Sequence, residues 1–164
     1  YDVALPGLKY NMLDIQAAIG LGQLARLDEF NERRKAIVSR YRQALGTTRG
    51  LVLPSTPDYD HEHAWHIFTP LLDLEQLDIT RDEFMALLKA ANIGTAYHYQ
   101  AVHLFAFYRE NFGFKPGDFP NAERVSERIV SLPLFPSMTD SEVEDVIEEV
   151  TGTLGKHSKR GPAA

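Results

Sequence analysis

The run Tyr97-His98-Tyr99-Gln100-Ala101-Val102-His103 holds the groups in this sequence best suited to chemistry. An imidazole titrates near neutral pH and both donates and accepts hydrogen bonds, while a phenol joins an apolar ring to a polar tip. His98 and His103 flank Tyr99 just after a predicted short strand, Thr95 to Tyr99. Groups at a strand's C-terminal end are well placed to meet a ligand. The pattern also admits a second account, in which each histidine is an ordinary core or surface residue.

Three other arrangements invite a chemical reading. His61, His63 and His66 form an H-x-H-x-x-H cluster. Imidazole binds zinc, and alternate strand positions share a face. His63 and His66 have an odd separation and would face opposite ways on a strand, so the cluster reads as a loop flank leading into one. Gly20-Leu21-Gly22-Gln23-Leu24-Ala25 matches the loose G-x-G-x-x-A pattern. Dinucleotide binding needs a strand before that pattern and a tight turn beneath a helix N-terminus. Here the glycines fall inside a helix, which points to close helix packing. Glu32-Arg33-Arg34-Lys35 reads as a solvated helix face. No Gly-rich phosphate loop with a following lysine and no Ser/His/Asp nucleophile set is readable, and no metal site is predicted.

The elements that must position these groups follow from periodicity. Residues 1–11 read as a loop around Pro6-Gly7. From about Met12 apolar residues recur at three- and four-residue steps as far as Leu45. Asn11 is a plausible N-cap with Asp14 near the positive helix end, and Gly46 or Gly50 stops the helix. A helix of about 30 residues is long for a compact domain, so it bridges two parts of a larger molecule or kinks near Gly20 and Gly22. Residues 51–63 read as a loop, and Trp65 to Leu72 as a strand. Trp65 is expected in the core. Thr80 and Thr139 each start a helix with a box residue three positions on, Glu83 and Glu142. Asn92-Ile93-Gly94 ends the first of these. Short helices are expected over 104–111 and 119–129, the latter with Pro120 in its first turn, and a third strand over 131–135. Strands alternating with helices predict a small α/β sandwich.

The chain has 164 residues, no cysteine and a net charge of −6. That length suits one domain with a modest core. The missing thiols exclude disulfides and thiolate sites and suit the cytosol, where we expect the protein. The acidic balance argues against a nucleic-acid partner. No apolar run approaches the roughly 18 residues of a membrane span, so no membrane association is expected. The chain begins with Tyr1 rather than Met, which suggests a portion of something longer.

Wording carries more than composition. PGLKYNMLDIQAAIGLGQLARLDEFNERR, HAWHIF, NIGTAYHYQAVH and FPNAERVSERIVSLPLFPSMTDSEVEDVI stand in one order. That order and spacing resemble the C-terminal part of the DegT/DnrJ/StrS nucleotide-sugar aminotransferases, from about Leu5 to Val150. The resemblance implies the fold-type I architecture of enzymes dependent on pyridoxal 5'-phosphate (PLP). Residues 1–50 would be an inter-domain loop and long bridging helix. Residues 51–154 would be a small C-terminal α/β domain whose short sheet is covered by helices, and 155–164 a flexible tail.

The chemistry implied is transfer of an amino group from glutamate, leaving 2-oxoglutarate, to a 4-keto nucleotide sugar. Members that aminate a UDP-4-keto-pentose for lipid A modification look most alike. The lysine that carries PLP lies upstream in the family, and Lys9 does not sit in its context. No catalytic residue is therefore expected in this chain, and the chain alone would be inactive. Asn11 matches a position that reaches across a homodimer to the partner's PLP phosphate, a role compatible with capping through other atoms. Tyr10 is expected close to that shared site. His98 and Tyr99 match residues near the nucleotide sugar, and His103 is a further substrate-binding candidate. Some family members lack the lysine and act as dehydratases or regulators. A stand-alone binding or assembly module is the other alternative.

Overall fold

The helical pattern that begins near Met12 is realised as two helices. In the computed structural model, which describes residues 10–159, they are α1 (Asp14–Leu24) and α2 (Leu27–Leu45). The chain breaks at Ala25-Arg26 rather than at Gly20 or Gly22. The Arg26 N–H bonds to the Gln23 carbonyl at 3.0 Å, a tight three-residue closure that ends α1. The Arg26 guanidinium then lies 4.5 Å from the Phe30 ring centre and 3.8 Å from Glu29, against the first turn of α2. Asn11 is not the cap. Leu13 holds that position, and the Gln16 carboxamide oxygen accepts from the Leu13 N–H at 2.9 Å. The expected loop at 1–9, with its Pro6-Gly7 turn and Lys9, lies outside the described residues, as do residues 160–164.

Amphipathic spacing builds the core. Ile37, Val38, Tyr41 and Leu45 on α2 face Val143, Val146, Val150 and Leu154 on α6 (Asp140–Lys156), all of them buried. Phe84 and Leu88 of α3 (Arg81–Ala90) pack into the same cluster with Phe68, Leu72 and Leu77. Each such side chain contributes about 1.5–3 kcal/mol of transfer free energy. Trp65 joins this core as expected. The Tyr41 hydroxyl donates to the Pro133 carbonyl at 2.8 Å, so the deeply placed phenol is satisfied. Burial pushes its pKa above the ordinary tyrosine value.

The sheet is shorter than the sequence suggests. Its two strands, β1 (Leu51–Val52) and β2 (Leu71–Leu72), pair antiparallel with Leu51 opposite Leu72. β1 falls in a stretch expected to be loop. Isolated antiparallel bridges extend the ladder from Leu71 to Ile129, from Phe68 to Leu132 and from Ala96 to Ser131. Pro70 has no N–H to donate, and Trp65 adopts a left-handed φ of 47°, so 65–72 is not one continuous strand. Pro133 stops pairing on the third segment, and 95–99 makes only the Ala96 bridge. Between these segments lie α4 (Ala106–Phe112), entered through a 3-10 turn at Val102–Leu104, and α5 (Pro120–Arg128), which begins on Pro120 as expected.

Local chemistry sets the boundaries. Thr80 and Thr139 each accept from the N–H three residues on and receive Glu83 and Glu142 in return, completing both capping boxes. Asn92, at φ 64°, closes α3: the Ile93 N–H reaches the Leu88 carbonyl and the Asn92 N–H reaches Lys89. The start of the expected flexible tail is tied down. Ser158 bridges Leu77, and the Lys159 N–H bonds to the Gln76 carbonyl at 2.8 Å. The Glu32–Lys35 run is also more than a solvated face. Arg33 donates to the Met138 carbonyl at 2.6 Å and to Asp140 at 2.9 Å, while Lys35 binds Glu32 and Glu62.

Gly50 turns the chain into β1 at φ 82°, and a Cβ there would sit 2.5 Å from Leu77 Cδ2. Gly50→Ala therefore combines backbone strain with overpacking of a buried leucine. It is expected to lower stability by about 1–3 kcal/mol, read as a fall in the thermal unfolding midpoint.

Candidate functional site

Residues 97–101 form an irregular loop that three contacts hold in place. The Arg81 guanidinium lies 4.1 Å from the centre of the Tyr97 ring. His98 Nδ1 is 2.6 Å from the Ser131 hydroxyl oxygen. The Ala101 N–H donates to the Ser126 hydroxyl oxygen at 2.9 Å, and Arg81 also holds the Ser126 carbonyl. Between these anchors Tyr99 stays 71% exposed, its ring edge-on to His98 with centres 4.8 Å apart. The loop thus presents one imidazole edge and one phenol on a fixed base. His98 and Tyr99 are brought together as the sequence suggests.

His103 is placed differently. It is only 6% exposed, its Nε2 is 2.9 Å from a Glu123 carboxylate oxygen, and its ring packs against Phe119. Glu123 also accepts from the Gly117 N–H at 2.9 Å and from the Phe119 N–H. Its carboxylate therefore pins the 115–119 loop to α5. The Gly117 N–H, and after it His103, hold the Glu123 pKa below its ordinary 4.5. Because the folded pKa is depressed, this contribution to stability is present above about pH 4.5 and is lost as pH falls through the lower folded value. Glu123→Gln should lower the unfolding midpoint at neutral pH. The gap between variant and parent should close on acidification below pH 4.5, as followed by thermal melts across pH.

Tyr10 and Asn11 lie just before α1, well away in sequence from His98 and Tyr99. Tyr10 is 85% exposed, and Asn11 is exposed and makes no hydrogen bond among the described residues. Their helix shares their openness: Ile15, Ile19, Leu21 and Leu24 of α1 are all exposed, and no residue of α1 is buried. The exposed carboxamide NH2 of Asn11 suits an anionic oxygen, since amides donate to phosphate.

His61 and His63 make local contacts. His63 stacks on Trp65 with ring centres 3.9 Å apart, and its Nδ1 accepts from the Trp65 N–H. His61 donates to the Tyr59 carbonyl. Among the described residues no three His, Asp or Glu side chains gather as metal ligands. No helix there is long and apolar enough to cross a membrane.

Ser131, Ser126 and Arg81 are the residues at this site that sequence reasoning misses. Ser131 lies 33 positions from its partner His98, and no periodicity links the two.

A model of the DegT/DnrJ/EryC1/StrS aminotransferase family matches residues 1–151. The spore coat polysaccharide biosynthesis protein SpsC of Bacillus subtilis is 46% identical over 151 residues, covering 92% of this chain and 39% of that protein. Among solved structures, the aminotransferase TlmJ of Streptoalloteichus hindustanus is 33% identical with a TM-score of 0.81, over 94% of this chain and 40% of that one. The PLP form of the putative sugar aminotransferase Spr1654 of Streptococcus pneumoniae is 31% identical with a TM-score of 0.85, over 95% and 39% respectively. This chain therefore spans about 39% of the length of the curated relative it matches.

Proposed function

The chain belongs to the DegT/DnrJ/EryC1/StrS aminotransferase family, and we propose that it is the C-terminal portion of a PLP-dependent enzyme that aminates a 4-keto nucleotide sugar with glutamate as donor. The observation that carries this reading is α1. A mostly apolar helix belongs inside a larger structure, yet none of the described residues buries it. The relatives are more than twice as long, which supplies chain to cover it. In this reading residues 51–154, with the second half of α2, are the small domain, and α1 runs between it and an upstream domain bearing the cofactor lysine.

PLP, when bound, supplies the carbonyl that takes up an amino group and the electron sink that lets it be passed on. The work of this chain is positional. Asn11 donates its carboxamide N–H to a phosphate oxygen of the cofactor held by the partner in a homodimer, with Tyr10 beside it. One neutral amide cannot hold a phosphate alone, so the remaining contacts fall to the upstream domain. His98 and Tyr99 face the nucleotide sugar and offer imidazole and phenol hydrogen bonds to its hydroxyls. His103 acts behind them, through Glu123, by fixing the segment that carries them. We place the reaction in the cytoplasm, and the product in a surface polysaccharide or in lipid A; a UDP-4-keto-pentose is the preferred acceptor.

The test is incubation of the full-length protein with glutamate and a 4-keto UDP-pentose. The expected result is conversion of the ketone to an amine, seen by mass spectrometry, with equimolar 2-oxoglutarate. Loss of water from the sugar without amination, or a protein that binds no PLP, would instead assign it to the lysine-less dehydratases or regulators.

A further inference from the structure

We propose that Ser131 is a positioning residue for the sugar site, acting through His98; this rests on the reading of His98 and Tyr99 as sugar-facing groups. Ser131 is 7% exposed, one of few buried polar residues among the described residues. Its backbone is locked to Ala96 in both directions, by N–H···O contacts of 2.7 and 3.2 Å. Its hydroxyl is 2.6 Å from His98 Nδ1. His98 stands two residues after Ala96, so the histidine is fixed to Ser131 twice, by backbone pairing and by its ring. An imidazole on a loop otherwise turns about its outer torsion, which is broad. The Ser131 bond fixes the ring through Nδ1, edge-on to Tyr99.

The choice of partner also matters. His103, a few residues on, is paired with the carboxylate of Glu123, a charged partner. Among the described residues no carboxylate pairs with His98; its partner is a neutral hydroxyl. An oriented imidazole suits a sugar hydroxyl, and Ser131 supplies orientation without adding a counter-charge. Through His98, Ser131 would act on the acceptor half of the reaction.

The experiment separates the two half-reactions of the full-length enzyme: glutamate with the PLP form, and a 4-keto UDP-pentose with the aminated form. Losing one neutral hydrogen bond, Ser131→Ala should raise KM for the sugar about three- to tenfold and leave the glutamate half-reaction within about twofold. Ser131→Thr keeps the hydroxyl and should restore the sugar KM. His98→Ala should impair the sugar half-reaction at least as much, and adding Ser131→Ala to it should cost nothing further, since the two act as one unit. Should Ser131→Ala fold poorly, Ser131→Cys, a weak hydrogen-bonding isostere, carries the same readout. Equal slowing of both half-reactions would reduce Ser131 to a structural residue and overturn the proposal. A normal sugar KM in Ser131→Ala beside an impaired His98→Ala would overturn it alone. An unimpaired His98→Ala would overturn the sugar-facing reading on which it rests.

Discussion

Asn11→Asp in the full-length protein is expected to weaken PLP binding by about ten- to a hundredfold, because a hydrogen bond to a charged group contributes about 1.5–3 kcal/mol and aspartate replaces a donor with a like charge. Asn11→Ala should lose the bond without adding repulsion and fall at the lower end of that range. Both follow from the place of Asn11 outside α1. If Asn11 were the helix cap, alanine would cost about 1 kcal/mol of stability instead. The cap is Leu13, with Gln16 returning the bond, so the thermal midpoint of the cofactor-free Asn11→Ala protein should stay at the parent value. Equilibrium dialysis followed by cofactor absorbance measures the first effect, and a melt of the cofactor-free protein the second. Unchanged PLP affinity in both variants would remove Asn11 from the cofactor site.

Phe68→Ala is expected to cost about 3–5 kcal/mol, a large share of a typical domain's 5–15. Phe68 is fully buried. Its ring packs 5.4 Å from Tyr41 on α2 and 6.1 Å from Trp65, and its backbone bridges Leu132. Truncation leaves a cavity where α2 meets the bridged segments. Collapse into that cavity is limited, because Tyr41 is held by Pro133 and Leu132 by its bridge. Denaturant melts should show the midpoint fall with little change in slope. The effect should reach function too, since Leu132 follows directly on Ser131. A Phe68→Ala protein with parental stability would mean that the packing around this ring is not what joins α2 to the bridged segments.

Sequence reading succeeded where local rules decide. Capping boxes at Thr80 and Thr139, the Asn92 stop and Pro120 at a helix start all depend on residues within one turn of each other. It faltered where distant residues decide. Alternation suggested three strands, but Pro70, Pro133 and the left-handed Trp65 cut the pairing to β1, β2 and single bridges. The helix break at Ala25-Arg26 carries no glycine or proline; it rests on Arg26 folding onto Phe30 and Glu29. The same division holds at the site. His98 and Tyr99 are adjacent and legible. His103 stands in the same short run, yet Glu123, 20 positions on, draws it into a buried pair. Charge runs mislead for the same reason, since Arg33 reads as solvated until Asp140 and the Met138 carbonyl arrive from more than 100 residues away.

What this chain contributes to a shared site is tested most directly by subunit complementation. One form of the full-length protein lacks the cofactor-bearing lysine, and the other carries Asn11→Ala. Each homodimer is impaired at both sites. A mixed dimer has one complete site, in which the lysine of the Asn11→Ala subunit meets Asn11 from its neighbour. Random mixing in equal amounts should therefore restore about a quarter of parental aminotransferase activity, since half the dimers are mixed and half their sites complete. Activity no greater than the sum of the two separate forms would contradict a role for Asn11 across the dimer.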